Sequence, residues 1–427
     1  MKNSFHKTTL KNGLRIVTAP HQDTRAVAVF VLVGTGSKYE IRGLQGISHF
    51  LEHMFFKGTA KRPSAIAVTE PIDQVGGMFN AFTGTDYTGY FVKVEYEHAD
   101  LALDIVSDIF LNSILPVKEI AKEKGVVIEE MNIYRDNPMR RAETLWQSLL
   151  YGDTPAGWEI TGTRQTVLGL SRKDLLEYME SQYVAKNTVV CVAGRINEKA
   201  VIKKVEKLFS GIPEREFWKK KEVKISQTRP GIVVERRIAD QTRVALGARG
   251  YNLSHPLHYT QEVMAVLLGG MFSSRLFVEV REKLGIAYDI NTNSDSDPDA
   301  GYLMTSAGVP HERTEQAIAT ILREYKKLVS KRVSAKELKK AKDHIKGTSA
   351  LGLEASEAKA SFFGMQELLE QEILTLEQIH GKIEKVTPAM LQKAAAEMFV
   401  RKNLNLVVLG PYSAKAKKKF ENILNHS

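Results

Sequence analysis

The chain has 427 residues, too many for one hydrophobic core, so two or three domains are expected. Hydrophobic residues make up 43% and charged residues 26%, an ordinary globular composition, and the one cysteine, Cys191, excludes an intrachain disulfide or a cysteine-built zinc site. The net charge of +10 raises a nucleic-acid partner. The lysines, however, gather in Lys219-Lys220-Lys221, a linker-like run, and in Lys339-Lys340 and Lys415 to Lys419, which read as solvated helix faces. No nucleic-acid motif accompanies them. Residues 1–10 lack the apolar core of a signal peptide, and no run reaches the roughly 18–20 apolar residues of a membrane span. A cytoplasmic, bacterial protein with neither nucleic-acid nor membrane partner is the expectation.

In chain order, residues 12–19 and 25–34 read as strands, the first entered through an Asn12-Gly13 turn. Gly43 and Gly46 precede a short apolar helix that Gly58 closes. Pro63-Ser64 opens a second helix towards Val75, with a kink or early stop expected at Pro71. Gly76-Gly77 leads into strand-like runs 78–83 and 89–94, a candidate hairpin. Helices follow at 99–112, by its Leu101, Ile105, Ile109 spacing, and at 118–134. A loop at 152–155, a helix capped by Ser171 and a buried strand 188–194 complete the first part.

The first helix carries His49, Glu52 and His53. Positions i, i+3 and i+4 share a helix face, so two imidazoles and a carboxylate converge. Two neutral nitrogen ligands plus a carboxylate that takes a proton from metal-bound water are what a zinc hydrolase needs. H-x-x-E-H is the pattern of the inverted zinc peptidases. The helix 118–134 offers Glu123, Glu129 and Glu130 as further ligands. At about 100° per residue, Glu123 and Glu130 border the apolar stripe of Ile120, Val127, Met131 and Tyr134, whereas Glu129 points to solvent.

The pattern then repeats. Ser171/Thr387, Asn187/Asn403 and Gly194/Gly410 share an offset of 216, and Thr24/Thr242 and Lys118/Lys336 one of 218. A period above 200 means a duplicated domain. The expected fold is α+β: two homologous halves, each a mixed, mainly antiparallel sheet covered by helices. The halves are 1–212 and 230–427, joined by a polar linker 213–229. Shifted by 218, the metal motif lands on Leu267, Gly270 and Met271, so the second half lacks the ligands. A motif needed only for folding would have left something similar there.

With these features the chain resembles the pitrilysin/insulinase family of zinc peptidases, in its processing-peptidase-like branch. The resemblance rests on residues 46–54, on Gly76-Gly77 with Asn80-Ala81-Phe82-Thr83, on Glu123 through Met131, and on Arg281-Glu282-Lys283-Leu284-Gly285-Ile286-Ala287-Tyr288. It implies one Zn2+ per chain held by His49, His53 and Glu130, with Glu52 as general base and Glu123 orienting the site. It implies that Arg281 and Tyr288 hold the substrate backbone and stabilise the tetrahedral intermediate; without it they read as a surface arginine and a core tyrosine. Asn80, Ala81 and Phe82 look like the family's edge strand, to which a peptide adds by β-augmentation. Met78, Pro71 and Thr154-Pro155 depart from the family's usual residues, which bears on substrate preference.

The reading is thus a zinc metalloendopeptidase acting on short or unfolded peptides. A homodimer is implied, since one chain carries both the metal motif and the Arg/Tyr pair. The alternative is a non-catalytic structural subunit of a larger assembly.

Overall fold

A computed structural model describes residues 5–413 and 415–425; residues 1–4, part of the stretch 1–10 discussed above, lie outside the described residues. The fold is α+β, with two mixed sheets and their helices. The first sheet contains β1 (His6–Thr9), β2 (Arg15–Pro20), β3 (Ala26–Val33), β4 (Met78–Thr83), β5 (Thr88–Glu95) and β6 (Thr188–Gly194), in the order β1-β2-β6-β3-β5-β4. The second contains β7 (Gly231–Arg236), β8 (Thr242–Arg249), β9 (Ile290–Ser296), β10 (Gly301–Val309) and β11 (Leu404–Gly410), in the order β7-β11-β8-β10-β9. Among the described residues only β2–β6 and β7–β11 are parallel strand pairs. Their registers coincide after the 216-residue shift: Arg15 lies opposite Val189, and Gly231 opposite Asn405. The duplication is therefore present in the hydrogen-bond ladder itself.

The compact units are not two continuous halves. One comprises the chain up to Asn132, Trp158–Lys221 and Ala350–Leu376; the other comprises Ile133–Gly157, Glu222–Ser349 and the chain from Glu377 on. The stretch 213–229 has neither helix nor strand and changes unit after Lys221. Strand β3 shows what the exchange accomplishes. Val27, Val29, Val31 and Val33 face a core shared with α1 (Ile47–Phe55) and α3 (Ala99–Asn112). Ala28, Phe30 and Leu32 face Ala360, Phe363 and Leu368 of the late helix Ser356–Leu369. Both faces are covered, so β3 reads as a continuous apolar run rather than an alternating one. In the other unit, Trp146 and Leu150 of the helix Pro138–Tyr151 pack with Ala245, Met304 and Val407 on the second sheet. Each sheet thus borrows one helix from the other half of the sequence.

Several local expectations shift. The strand expected at 12–19 begins at Arg15, because Gly13 takes φ +86° and Asn12 Oδ1 accepts from Leu14 N–H at 3.1 Å. The polar, exposed β1 carries no apolar signal. Helix α2 (Ala65–Asp73), capped by Ser64 accepting from Ala67 N–H, passes Pro71 and stops two residues later, short of Val75. The helix expected at 118–134 is α4 (Val117–Asp136), and the helix Pro138–Tyr151 was not anticipated.

Candidate metal centre

Helix α1 is placed by its amino-terminal end. Gly46 takes φ +88°, and a Cβ there would come within 2.5 Å of the Thr161 carbonyl oxygen, so only glycine fits. Having no side chain, Gly46 cannot cap the helix. Glu40 does so instead: its carboxylate accepts from Gly46 N–H at 2.7 Å and Ser48 N–H at 3.0 Å. Burial pushes the Glu40 carboxyl up to about 8, against the pull of those donors towards the ionised form. Beneath the helix, Ser48 Oγ and Thr35 Oγ1 share the buried Tyr178 hydroxyl at 2.8 and 2.7 Å. Ile47, Phe50, Leu51, Met54 and Phe55 are fully buried, which fixes the rotation of the polar face.

That face presents His49, Glu52 and His53 to α4. The two imidazole rings lie 4.6 Å apart. Glu130 Oε2 is 3.5 Å from His49 Nε2 and 3.4 Å from His53 Nε2. These separations exceed the 2.7–3.2 Å of good N–H···O bonds. They match the edges, about 3.3–3.4 Å, of a tetrahedron whose donors lie 2.0–2.1 Å from a zinc ion. The Glu123 carboxylate accepts from His53 Nδ1–H at 2.9 Å, and its second oxygen meets Lys57 Nζ at 2.6 Å. With Nδ1–H donated to the Glu123 carboxylate, the Nε2 lone pair of His53 is left on the side of Glu130, free for a metal ion. His49 Nδ1, by contrast, is buried without a hydrogen-bond partner. Two imidazole nitrogens and one carboxylate fit the three-ligand zinc set that leaves a fourth position open.

The local fields are strong. Burial disfavours a charged His53, yet Glu123, Glu130 and Glu52 outweigh it and raise its pKa to about 9 in the metal-free chain. Burial also raises Glu52, opposed by the Thr83 hydroxyl bonded to its Oε2 and by both histidines. For Glu123, burial is overcome by His53 and Lys57, and the carboxyl lies below its ordinary value. Glu129 is exposed, as the helix-face reading expected.

Strand β4 lies at the open edge of its sheet beside α1. Phe79 packs on Phe56 and Thr83 reaches Glu52, whereas Phe82 packs with Phe30 and Tyr87 on the other face. Asn80 is exposed and its Oδ1 accepts from Ala81 N–H at 2.9 Å. Arg281 and Tyr288 belong to the second unit. Arg281 sits on a π-helical turn, Phe277–Lys283, with its guanidinium 4.8 Å from the Phe277 ring and 5.1 Å from that of Tyr288. Tyr288 is 77% exposed, so the core-tyrosine alternative does not hold. Sequence spacing brought the two histidines together and set Glu123 and Glu130 apart from Glu129, and the family resemblance singled out Glu130. Spacing missed Glu40, Lys57 and Thr83, whose partners lie on other elements.

Fold and site together describe a two-sheet protein in which His49, His53 and Glu130 are grouped so that they could hold a metal ion. Residues 15–164 match the family model of the insulinase (M16) peptidases, and residues 169–345 that of the M16 inactive domain. An uncharacterized zinc protease of Bacillus subtilis is 36% identical over 92% of this chain and 95% of its own length. One of Rickettsia bellii is 31% identical over 96% of this chain and 98% of its own. A protease from Helicobacter pylori superposes with a TM-score of 0.87 at 25% identity, covering 96% of this chain and all of that one. The chain belongs to the insulinase, or M16, family of zinc peptidases.

Proposed function

We propose that the chain is a zinc-dependent endopeptidase acting on short or unfolded peptides. The observation that carries this is the three-donor set of His49, His53 and Glu130 with the Glu52 carboxylate on the same helix face. When bound, zinc supplies a Lewis acid that lowers the pKa of a coordinated water towards ~7 and polarises the peptide carbonyl. Glu52, as general base, takes a proton from the attacking water and returns it to the leaving amine. Thr83 holds the Glu52 carboxylate in one orientation. Glu123 keeps His53 in the tautomer whose Nε2 faces the metal. The open edge of β4, through Asn80, Ala81 and Phe82, takes an extended peptide as an added strand. Arg281 and Tyr288 hold the substrate backbone, and the Tyr288 hydroxyl donates to the developing oxyanion.

The same reading comprises one zinc per chain, a homodimer, and a cytoplasmic bacterial location, with no nucleic-acid or membrane partner. No helix among the described residues is long and apolar enough to cross a membrane. The match of residues 169–345 to an inactive domain favours a second reading, a non-catalytic subunit. Metal analysis and cleavage of a peptide library decide between them. The purified chain is expected to hold zinc and to cleave peptides in a chelator-sensitive way, and Glu52→Gln to keep the zinc while losing the cleavage. A Glu52→Gln variant cutting at the wild-type rate would overturn the mechanism, and a wild-type chain with neither zinc nor cleavage would favour the second reading.

A further inference from the structure

The Glu123 carboxylate is divided between two cations of different kinds. Oε1 is 2.9 Å from His53 Nδ1, and Oε2 is 2.6 Å from Lys57 Nζ. Lys57 follows His53 by four residues, just beyond the end of α1, so both approach Glu123 from one segment while Glu123 comes from α4. The Glu123 side chain is only 5% exposed and that of Lys57 24%, so solvent can do little to replace either contact. A carboxylate held at one oxygen can swing about its terminal bond. Held at both, it is fixed, and with it the plane and tautomer of the imidazole it contacts.

We propose that Lys57 is a positioning residue for the metal centre: it locks Glu123 so that His53 Nε2 points at the ion. This deepens the zinc-peptidase reading and rests on it, but its test is binding of the metal and needs no turnover. Two effects of Lys57 on zinc oppose each other. Its positive charge, near the ion, weakens zinc binding through space. Its grip on Glu123 strengthens zinc binding by holding His53 in place. With Glu123 interposed as a counter-charge, the ammonium field at the ion is largely cancelled, so the grip prevails. The sign of the effect therefore discriminates between the two.

The experiment is zinc affinity of the full chain by chelator competition, with zinc ion alone as probe. Lys57→Met is expected to weaken zinc binding about 10–100-fold, the usual cost of losing an outer-shell partner. Lys57→Arg, which can still bridge to Glu123, recovers most of the affinity. In a Glu123→Gln background Lys57→Met adds little, because the residue it acts through has already lost its charge. Thermal unfolding of the metal-free variants checks that folding is kept. Unchanged or tighter zinc binding in Lys57→Met, or an equal loss in both Glu123 backgrounds, overturns the proposal. A wild-type chain that binds no zinc overturns instead the reading on which it rests.

Discussion

The Thr83 hydroxyl donates to Glu52 Oε2, linking the last residue of the open-edge strand to the carboxylate between the two histidines. Glu52 is half-buried, and burial raises its pKa. A hydrogen bond to its ionised form therefore both orients the group and keeps it able to take a proton. Bonds to charged groups contribute about 1.5–3 kcal/mol. If most of that is lost in the transition state, Thr83→Val lowers kcat roughly 10–100-fold. Zinc content should not change, because Thr83 does not touch the metal donors, and Thr83→Ser should restore most of the rate. Equal kcat in Thr83→Val and wild type would remove Thr83 from the mechanism.

His53 gives the metal site a pH signature. Its metal-free pKa is raised to about 9, since burial is outweighed by Glu123 and Glu130, and the ion must displace the Nε2 proton. Zinc affinity should then fall by about tenfold for each pH unit below 9 while one proton is released per ion. For the stability of the metal-free chain the sign is the opposite. A histidine whose folded pKa lies above its unfolded value stabilises fully below about 6.5 and loses that contribution as pH rises through 9. Metal-free thermal unfolding from pH 6 to 9 should show this loss, and Glu123→Gln should flatten it. A zinc affinity independent of pH between 6 and 8 would contradict the assignment.

Arg281 and Tyr288 can be tested apart from folding. Tyr288 is 77% exposed, so Tyr288→Phe should change stability by less than about 0.5 kcal/mol. Removing an oxyanion donor usually costs 10²–10³ in kcat, roughly the loss expected here with zinc retained. Arg281, between the Phe277 and Tyr288 rings, loses its planar stack in Arg281→Lys, and KM should rise. Steady-state kinetics of the two variants check both. A Tyr288→Phe enzyme at full kcat would leave that tyrosine without a chemical role.

What was legible in the sequence was what lies within one element or repeats at a fixed distance. His49, Glu52 and His53 fall on one face because helical spacing compels it, and the stripe of α4 separated Glu123 and Glu130 from Glu129 for the same reason, with the resemblance choosing Glu130 between them. The register of β2 on β6 and of β7 on β11 carries the 216-residue repeat. Contacts between elements left no such trace. Glu40 caps a helix six residues ahead of itself because Gly46 cannot, and Lys57 and Thr83 are ordinary residues until their partners arrive. The helix Pro138–Tyr151 did leave a signal: Asn137-Pro138 is a start, and Ala142, Trp146 and Leu150 recur every four residues. That it packs on the second sheet could not be read from chain order, nor could the transfer of Ser356–Leu369 to the first.

That transfer makes a prediction about two glycines in helices that are consecutive in sequence. Gly364, in Ser356–Leu369, faces the first sheet, and a Cβ there would come within 2.7 Å of Leu32 Cδ1 and 3.1 Å of Cys191 Cβ. Gly347, in the helix Ala335–Gly352, has nothing within 4 Å of the same added atom. Replacing a glycine inside a helix by alanine gains up to about 1 kcal/mol in propensity. At Gly347 nothing opposes this gain, so Gly347→Ala should raise the denaturation midpoint. At Gly364 overpacking against β3 and β6 costs about 1–3 kcal/mol, and Gly364→Val adds a branched side chain where even one methyl is tight. Gly364→Val should therefore lower the midpoint, although 364 lies more than 300 residues from β3 in sequence. Equal behaviour of the two positions in urea unfolding would mean that the late helix does not pack on the first sheet in solution.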